Sequence, residues 1–118
     1  YAQIPDHFAA ADVFAYASRA DMQPLALTEA MAAGLPVVAM DATGVRDVVR
    51  HGEDGLLVPP NVEALAKSMR RLMDDSMLRR RLSAGARATA SRCSVEGATK
   101  RLLEIYDEAI VEMTRMAI

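Results

Sequence analysis

Residues 20–40 read ADMQPLALTEAMAAGLPVVAM, and this stretch decides the fold. Pro24 suits the first position of a helix, where a missing N–H is harmless. Gly34 can adopt the left-handed conformation that ends one. Together they predict a helix over residues 24–33. That helix is apolar nearly all round apart from Thr28 and Glu29, which predicts burial on most of its faces. Pro36 then opens an apolar run, PVVAM at 36–40, read as a strand with its proline tolerated at the first residue.

The neighbouring segments repeat the pattern. Upstream, IPDHFAAA at 4–11 reads as a short helix with Pro5 in its first turn, and VFAYA at 13–17 as a buried strand. Residues 18–23 form a polar loop. Downstream, DATG at 41–44 is a second strand-to-helix loop, followed by a short helix over 45–50. HGEDG at 51–55 is a turn with two glycines, and GLLV at 55–58 is a third strand ended by Pro59 and Pro60. The remainder is helical. Asn61 caps one helix, with Val62, Leu65, Ala66, Met69, Leu72 and Met73 at helical spacing. Ser76 is expected to cap a second helix reaching about residue 91. Ser94 caps a third, with Val95, Ala98, Leu102, Ile105, Tyr106, Ala109 and Met113 on one stripe. Met69, Met73, Met113 and Met116 are expected to fill core.

Three strands, each followed by a helix, predict an α/β fold: a three-layer Rossmann-like parallel sheet over about residues 1–60, then C-terminal helices over 61–118. Right-handed crossovers place the strand-to-helix loops at the carboxyl edge of the sheet, where open α/β folds bind ligands. Asp21 and the DATG loop should therefore face one crevice.

Size and composition narrow the function. The 118 residues suit one domain, and with 52% hydrophobic and 25% charged residues a packed core is expected rather than disorder. A net charge of −2 argues against a nucleic-acid partner, whose binders carry a basic excess. The single cysteine, Cys93, cannot form an internal disulfide or a cysteine-rich metal site, in keeping with a reducing, cytoplasmic setting. No transmembrane run or signal-peptide pattern is present. The opening YAQIPDHFAAADVF reads like the middle of a fold, and the expectation is a piece of a larger protein.

The central stretch has the chemistry of an anion site. With Pro24 as the first helical residue, the N–H groups of Leu25, Ala26 and Leu27 lack intrahelical acceptors and carry about half a positive charge outward. A diphosphate suits them. The helix dipole contributes about 0.3–1 kcal/mol, and hydrogen bonds to charged oxygens about 1.5–3 kcal/mol each. Glu29, one turn further in, can accept two parallel hydrogen bonds, as the vicinal hydroxyls of a ribose would donate. Asp21 stands where a hydroxyl beyond the phosphates would lie. A plainer assignment is open on spacing alone: Asp21 as a loop-stabilising or capping residue, and Glu29 paired with a neighbouring Arg or Lys.

The run from Asp21 through Glu29 into AMAAGLPVVA resembles the E-x7-E region of retaining GT-B glycosyltransferases, the large fourth family that uses nucleotide sugars. Glu29, Ala30, Met31, Ala32, Gly34, Pro36, Val37, Val38 and Ala39 match that pattern in register. Ala11-Asp12-Val13-Phe14 and Ser18 resemble its preceding strand. Asp41, Gly44 and Asp47-Val48-Val49 resemble the following loop and helix, and Gly52 with residues 55–60 the next strand. The likeness covers residues 4–74 well and the C-terminal helices more loosely.

The resemblance implies that Asp21 replaces a glutamate that binds donor-sugar hydroxyls. It implies that Met22, Gln23, Pro24, Leu25 and Ala26 hold sugar and diphosphate through their backbone, and that Glu29 binds the ribose. The sequence departs from the pattern at Asp21, one methylene shorter than glutamate, at Pro24, where many members have glycine, and at Thr43. The implied reaction is hexosyl transfer from a nucleotide-diphosphate sugar with retention, with the sugar nucleotide as substrate and no metal or other cofactor. The implied whole enzyme has two Rossmann-like domains. This chain resembles the second half of the C-terminal one, without the N-terminal acceptor domain or the earlier strands whose Arg and Lys meet the diphosphate, and is expected to be inactive alone. Two other readings stand beside it: a non-catalytic nucleotide-binding or assembly module, and a nucleotide-sugar epimerase of GT-B architecture. An exposed strand edge is expected to drive self-association. His7 and His51 read as surface or loop residues. Arg70, Arg71, Arg79, Arg80 and Arg81 read as a solvated helix face, with peripheral contact to an anionic membrane as the alternative.

Overall fold

A computed structural model describes residues 2–118. The elements run α1 (Ile4–Ala10), β1 (Phe14–Tyr16), α2 (Leu25–Ala32), β2 (Val37–Met40), α3 (Val45–Val48), β3 (Gly55–Val58), α4 (Val62–Asp74), α5 (Ser76–Arg92) and α6 (Val95–Met116). The three strands form a parallel sheet in the order β1-β2-β3. Val37 pairs with both Phe14 and Gly55, so the register of the whole sheet runs through β2.

The alternation of side chains along β2 builds two cores. Val37 and Ala39 face a cluster holding Leu27, Ala30 and Met31 of α2, Val45 of α3, and Ala86 and Ala90 of α5. Val38 and Met40 face the other way, onto Leu72 of α4 and Leu78 and Leu82 of α5. A strand with a period of two and apolar residues on both faces must be covered on both sides, and here it is. The result is the expected three-layer α/β arrangement.

Local signals behave as their chemistry predicts at several helix ends. Asn61 Oδ1 accepts the Ala64 N–H at 2.8 Å, and Ser94 Oγ accepts the Gly97 N–H at 3.0 Å. Gly34, at φ 82°, closes α2: its N–H reaches the Met31 carbonyl at 2.9 Å and the Leu35 N–H the Ala30 carbonyl at 3.1 Å. That is the Schellman pattern of crossed bonds. The cap of α5 differs from expectation. Asp75, not Ser76, caps α5, its Oδ1 accepting the Leu78 N–H at 2.9 Å. A carboxylate at that position also complements the helix dipole, which a serine does not.

Three burial expectations are corrected. β1 is shorter than 13–17 and only half-buried, because it lies at an edge of the sheet and α1 covers it lightly. α2 buries Leu27, Ala30 and Met31 but leaves Leu25, Ala26, Glu29 and Ala32 exposed, so one face is open. The apolar stripe of α6 is real in sequence, yet α6 buries no residue. Met73, Met113 and Met116 are likewise exposed, while Met69 packs partly against the second core. A stripe at helical spacing states that a helix has an apolar face, and not what lies against it.

The turn before β3 is anchored from within. Asp54 is buried and accepts the Arg50 N–H at 2.7 Å and the Thr89 hydroxyl at 2.7 Å. No described helix is long and apolar enough to cross a membrane.

Candidate functional site

The site is built where the β1–α2 and β2–α3 loops meet. Both leave the carboxyl ends of parallel strands, so both emerge at the same edge. Their contact is tight. Gly44 has φ 83°, and a Cβ there would overlap the Asp21 carbonyl oxygen and come within 3.0 Å of Met22 Cα. A glycine is therefore required twice, by backbone angle and by space. The loops carrying Asp21 and DATG thus meet at one edge, and the groove beside their contact is lined by residues 22–25 and Gly44 but not by Asp21.

The mouth of α2 differs from its sequence reading. Pro24 is not the first helical residue. It is the cap, at φ −76° and ψ 76°, just outside helical space. This geometry turns the chain back on itself. The Leu25 N–H donates to the Gln23 carbonyl at 2.8 Å, and the Leu27 N–H to the Pro24 carbonyl at 3.1 Å. Of the three N–H groups expected to be free, Ala26 alone has no backbone acceptor among the described residues. Pro24 itself is buried, whereas Met22, Gln23, Leu25 and Ala26 are exposed. Thr28 folds its hydroxyl back to the Leu25 carbonyl at 2.8 Å, which further rigidifies this first turn.

Asp21 is half-buried and held. Its Oδ1 accepts the Gln23 N–H at 3.0 Å, and its Oδ2 accepts the Tyr16 hydroxyl from the end of β1. The hydrogen bond to Asp21, then burial, then the Asp21 charge hold the Tyr16 phenol above its usual value of 10.0, with a smaller opposing pull from Ser18. Tyr16 had no motif to announce it. Its place follows from pleat geometry, with Phe14 and Tyr16 on one face of β1, their rings stacked at 6.2 Å.

Glu29 behaves differently. It is exposed on the open face of α2, and no described side chain makes an ion pair with it. It borders a groove of about 310 Å³ between α1 and α2, lined otherwise by Ile4, Pro5, Phe8 and Ala32. A carboxylate at the rim of an apolar slot is an acceptor left available to a ligand. On the other side of α2, residues 22–25 and Thr28 border a second groove of about 240 Å³ with Gly44, Asp47, Val48 and Cys93. The second groove borders the first turn of α2 at Leu25 and Thr28, and the α1–α2 groove meets the helix one turn further on, at Glu29 and Ala32. The described residues bring no three metal-ligating side chains together. His7 and His51 are both exposed; the His51 ring lies beside Leu57 of β3. Arg79 caps the last carbonyls of α4, from Leu72 at 2.6 Å and Met73 at 2.7 Å, while Arg70, Arg71, Arg80 and Arg81 are exposed.

A parallel sheet covered by helices on both faces, with two strand-to-helix loops meeting at its carboxyl edge, defines an α/β domain of Rossmann type. A family model described as glycosyl transferases group 1 matches residues 1–89, and the chain belongs to that family. A D-inositol 3-phosphate glycosyltransferase of Thermobispora bispora is 35% identical over 96% of this chain and 27% of its own length. An exopolysaccharide phosphotransferase of Streptomyces coelicolor is 46% identical over 74% of this chain and 9% of its own. Among solved structures, Anabaena HepE in complex with UDP superposes at a TM-score of 0.81 with 32% identity, covering 92% of this chain and 30% of that one. A sucrose-phosphate synthase of Thermosynechococcus elongatus superposes at 0.76 with 30% identity, covering 90% and 27%. The chain thus spans about a quarter of the length of most curated relatives it matches.

Proposed function

We propose that this chain supplies the donor half of a glycosyltransferase site, which binds a nucleotide-diphosphate sugar and delivers its hexosyl group to an acceptor with retention. The observation that carries this reading is the exposed Glu29, without an ion-pair partner among the described residues, on the rim of the α1–α2 groove and one turn from the loop that meets Gly44. Glu29 would take the two ribose hydroxyls. The Ala26 N–H and the positive end of α2 would face the diphosphate. Asp21 would lie toward the sugar. HepE, the structural relative, has been crystallised with UDP and with UDP-glucose, which supports a ligand of this class.

The chemistry asked of these groups is modest. As the glycosidic bond to the diphosphate lengthens, negative charge grows on the departing oxygens. Fixed dipoles aimed at that charge lower the barrier without having to reorganise. With a single backbone N–H left at the helix mouth, most of that stabilisation must come from cations outside this chain. We therefore place the acceptor domain and the cationic strands on further polypeptide, and take this chain alone as binding-competent and inactive. Titration of the chain with UDP and UDP-glucose, followed by amide chemical shifts in NMR, tests the reading. Shifts mapped to residues 21–29 are the expected result, and the absence of any shift there overturns it.

Self-association belongs to the same proposal. Among the described residues β1 pairs on one side only, which leaves its outer edge for a second strand. Light scattering should give an apparent mass that rises with concentration. A constant 12.8 kDa species at high concentration would contradict this.

A further inference from the structure

We infer that Tyr16 is a positioning residue of the donor loop, holding the Asp21 carboxylate so that Asp21 in turn fixes the backbone at Gln23 and sets the geometry of residues 21–25. For its ligand arm this rests on the donor-site reading above. Its structural arm does not.

The geometry is a chain of contacts from a strand of the sheet to a loop. Tyr16 sits at the end of β1, paired with Ala39 of β2 and stacked on Phe14. Its hydroxyl donates to Asp21 Oδ2, and the other oxygen of the same carboxylate accepts the Gln23 N–H at 3.0 Å. The Asp21 carbonyl is then fitted against Gly44 of the next loop. Each carboxylate oxygen thus spends one lone pair inside the protein, and its direction is decided before any ligand arrives. An aspartate has too short a stem to reach far into a crevice while also bracing a loop. With Tyr16 as its anchor, its main work is the second task. Preorganisation of this kind raises affinity by removing ordering cost on binding.

The held phenol reports the contact directly. Its ionisation lies above 10.0 because the neutral hydroxyl donates to Asp21, with Ser18 the other polar neighbour at that hydroxyl. The stabilisation it provides is therefore complete below the unfolded tyrosine value and is lost as pH rises through the folded one.

The test uses the 118-residue chain and its Tyr16→Phe and Asp21→Asn variants. Phenylalanine keeps the ring and its stack on Phe14, so the fold should survive. In Tyr16→Phe, amide exchange at Gln23 should speed up about 2- to 10-fold, the loss of one hydrogen bond's restraint. UDP and UDP-glucose should both weaken by a similar factor. Asp21→Asn should lower the Tyr16 phenol toward the ordinary range in a difference absorbance titration, with burial still holding part of the rise, and the double variant should bind no worse than Asp21→Asn. Unchanged Gln23 exchange in Tyr16→Phe overturns the inference, as does an unmoved phenol in Asp21→Asn. A loss in Asp21→Asn confined to UDP-glucose, with UDP untouched, also overturns it, because Asp21 would then be a sugar ligand and little more. If the unmodified chain binds neither nucleotide, the donor-site reading fails while Gln23 exchange and the phenol titration still decide the role of Tyr16.

Discussion

Glu29→Gln should weaken UDP-glucose binding by about 10- to 100-fold while leaving the thermal midpoint of the chain unchanged. The size follows from exchanging a charged acceptor for a neutral one. Hydrogen bonds to a charged group contribute about 1.5–3 kcal/mol, and about 1.4 kcal/mol is a factor of ten in affinity. The unchanged stability follows from the position. Glu29 is exposed, no described residue pairs with it, and glutamine has nearly the same helix propensity. A 2′-deoxy UDP-glucose sharpens the test. It should bind the unmodified chain more weakly, and it should lose much less when Glu29 is changed, because one of the two hydroxyls is already missing. Equal affinity of the Glu29→Gln and unmodified chains for UDP-glucose would remove Glu29 from the site.

Gly44→Ala should be the most damaging small substitution in the loops. Its φ of 83° is strained for any residue with a Cβ, at about 1–2 kcal/mol. The new methyl would also overlap the Asp21 carbonyl oxygen and press on Met22, which adds about 1–3 kcal/mol. Together that is a loss of about 2–5 kcal/mol, or a midpoint lowered by roughly 8–20 °C for a domain of this size. Gly52 is the internal control. It has φ 82° but nothing within 4 Å of where a methyl would stand, so Gly52→Ala should show the backbone part alone. Thermal melts of the two variants separate strain from overlap. If Gly44→Ala melts no lower than Gly52→Ala, the two loops do not press on each other and their contact is looser than described. If it melts much lower and nucleotide contacts at residues 21–25 also fade, the contact between loops both folds and shapes the site.

Much of the fold could be read residue by residue. Asn61 and Ser94 cap because their short oxygens reach an N–H three residues on. Gly34 ends α2 because a positive φ is nearly free only for glycine. The apolar run at 37–40 demanded cover on both faces and received it. The glutamate of the proposed site was legible as well, as a carboxylate on an otherwise apolar helix.

What the sequence by itself determined is the order of elements, the parallel sheet they imply, and the edge at which Asp21 and the DATG loop emerge. These follow from periodicity and caps, which act over a few residues. Tertiary structure decided the rest. Pro24 became a cap and not a first turn, because the chain entering from Asp21 is pinned at Tyr16 and Gly44, and two of the three N–H groups were consumed there. The open face of α2 and the bare stripe of α6 depend on what packs against them, and an apolar stripe carries no record of its neighbour. Asp21 was assigned to the sugar by its place in the chain. Only the contact with a tyrosine five residues away revealed how its carboxylate is held, because hydrogen bonding between a strand and a loop depends on distance in space and leaves no period in the sequence.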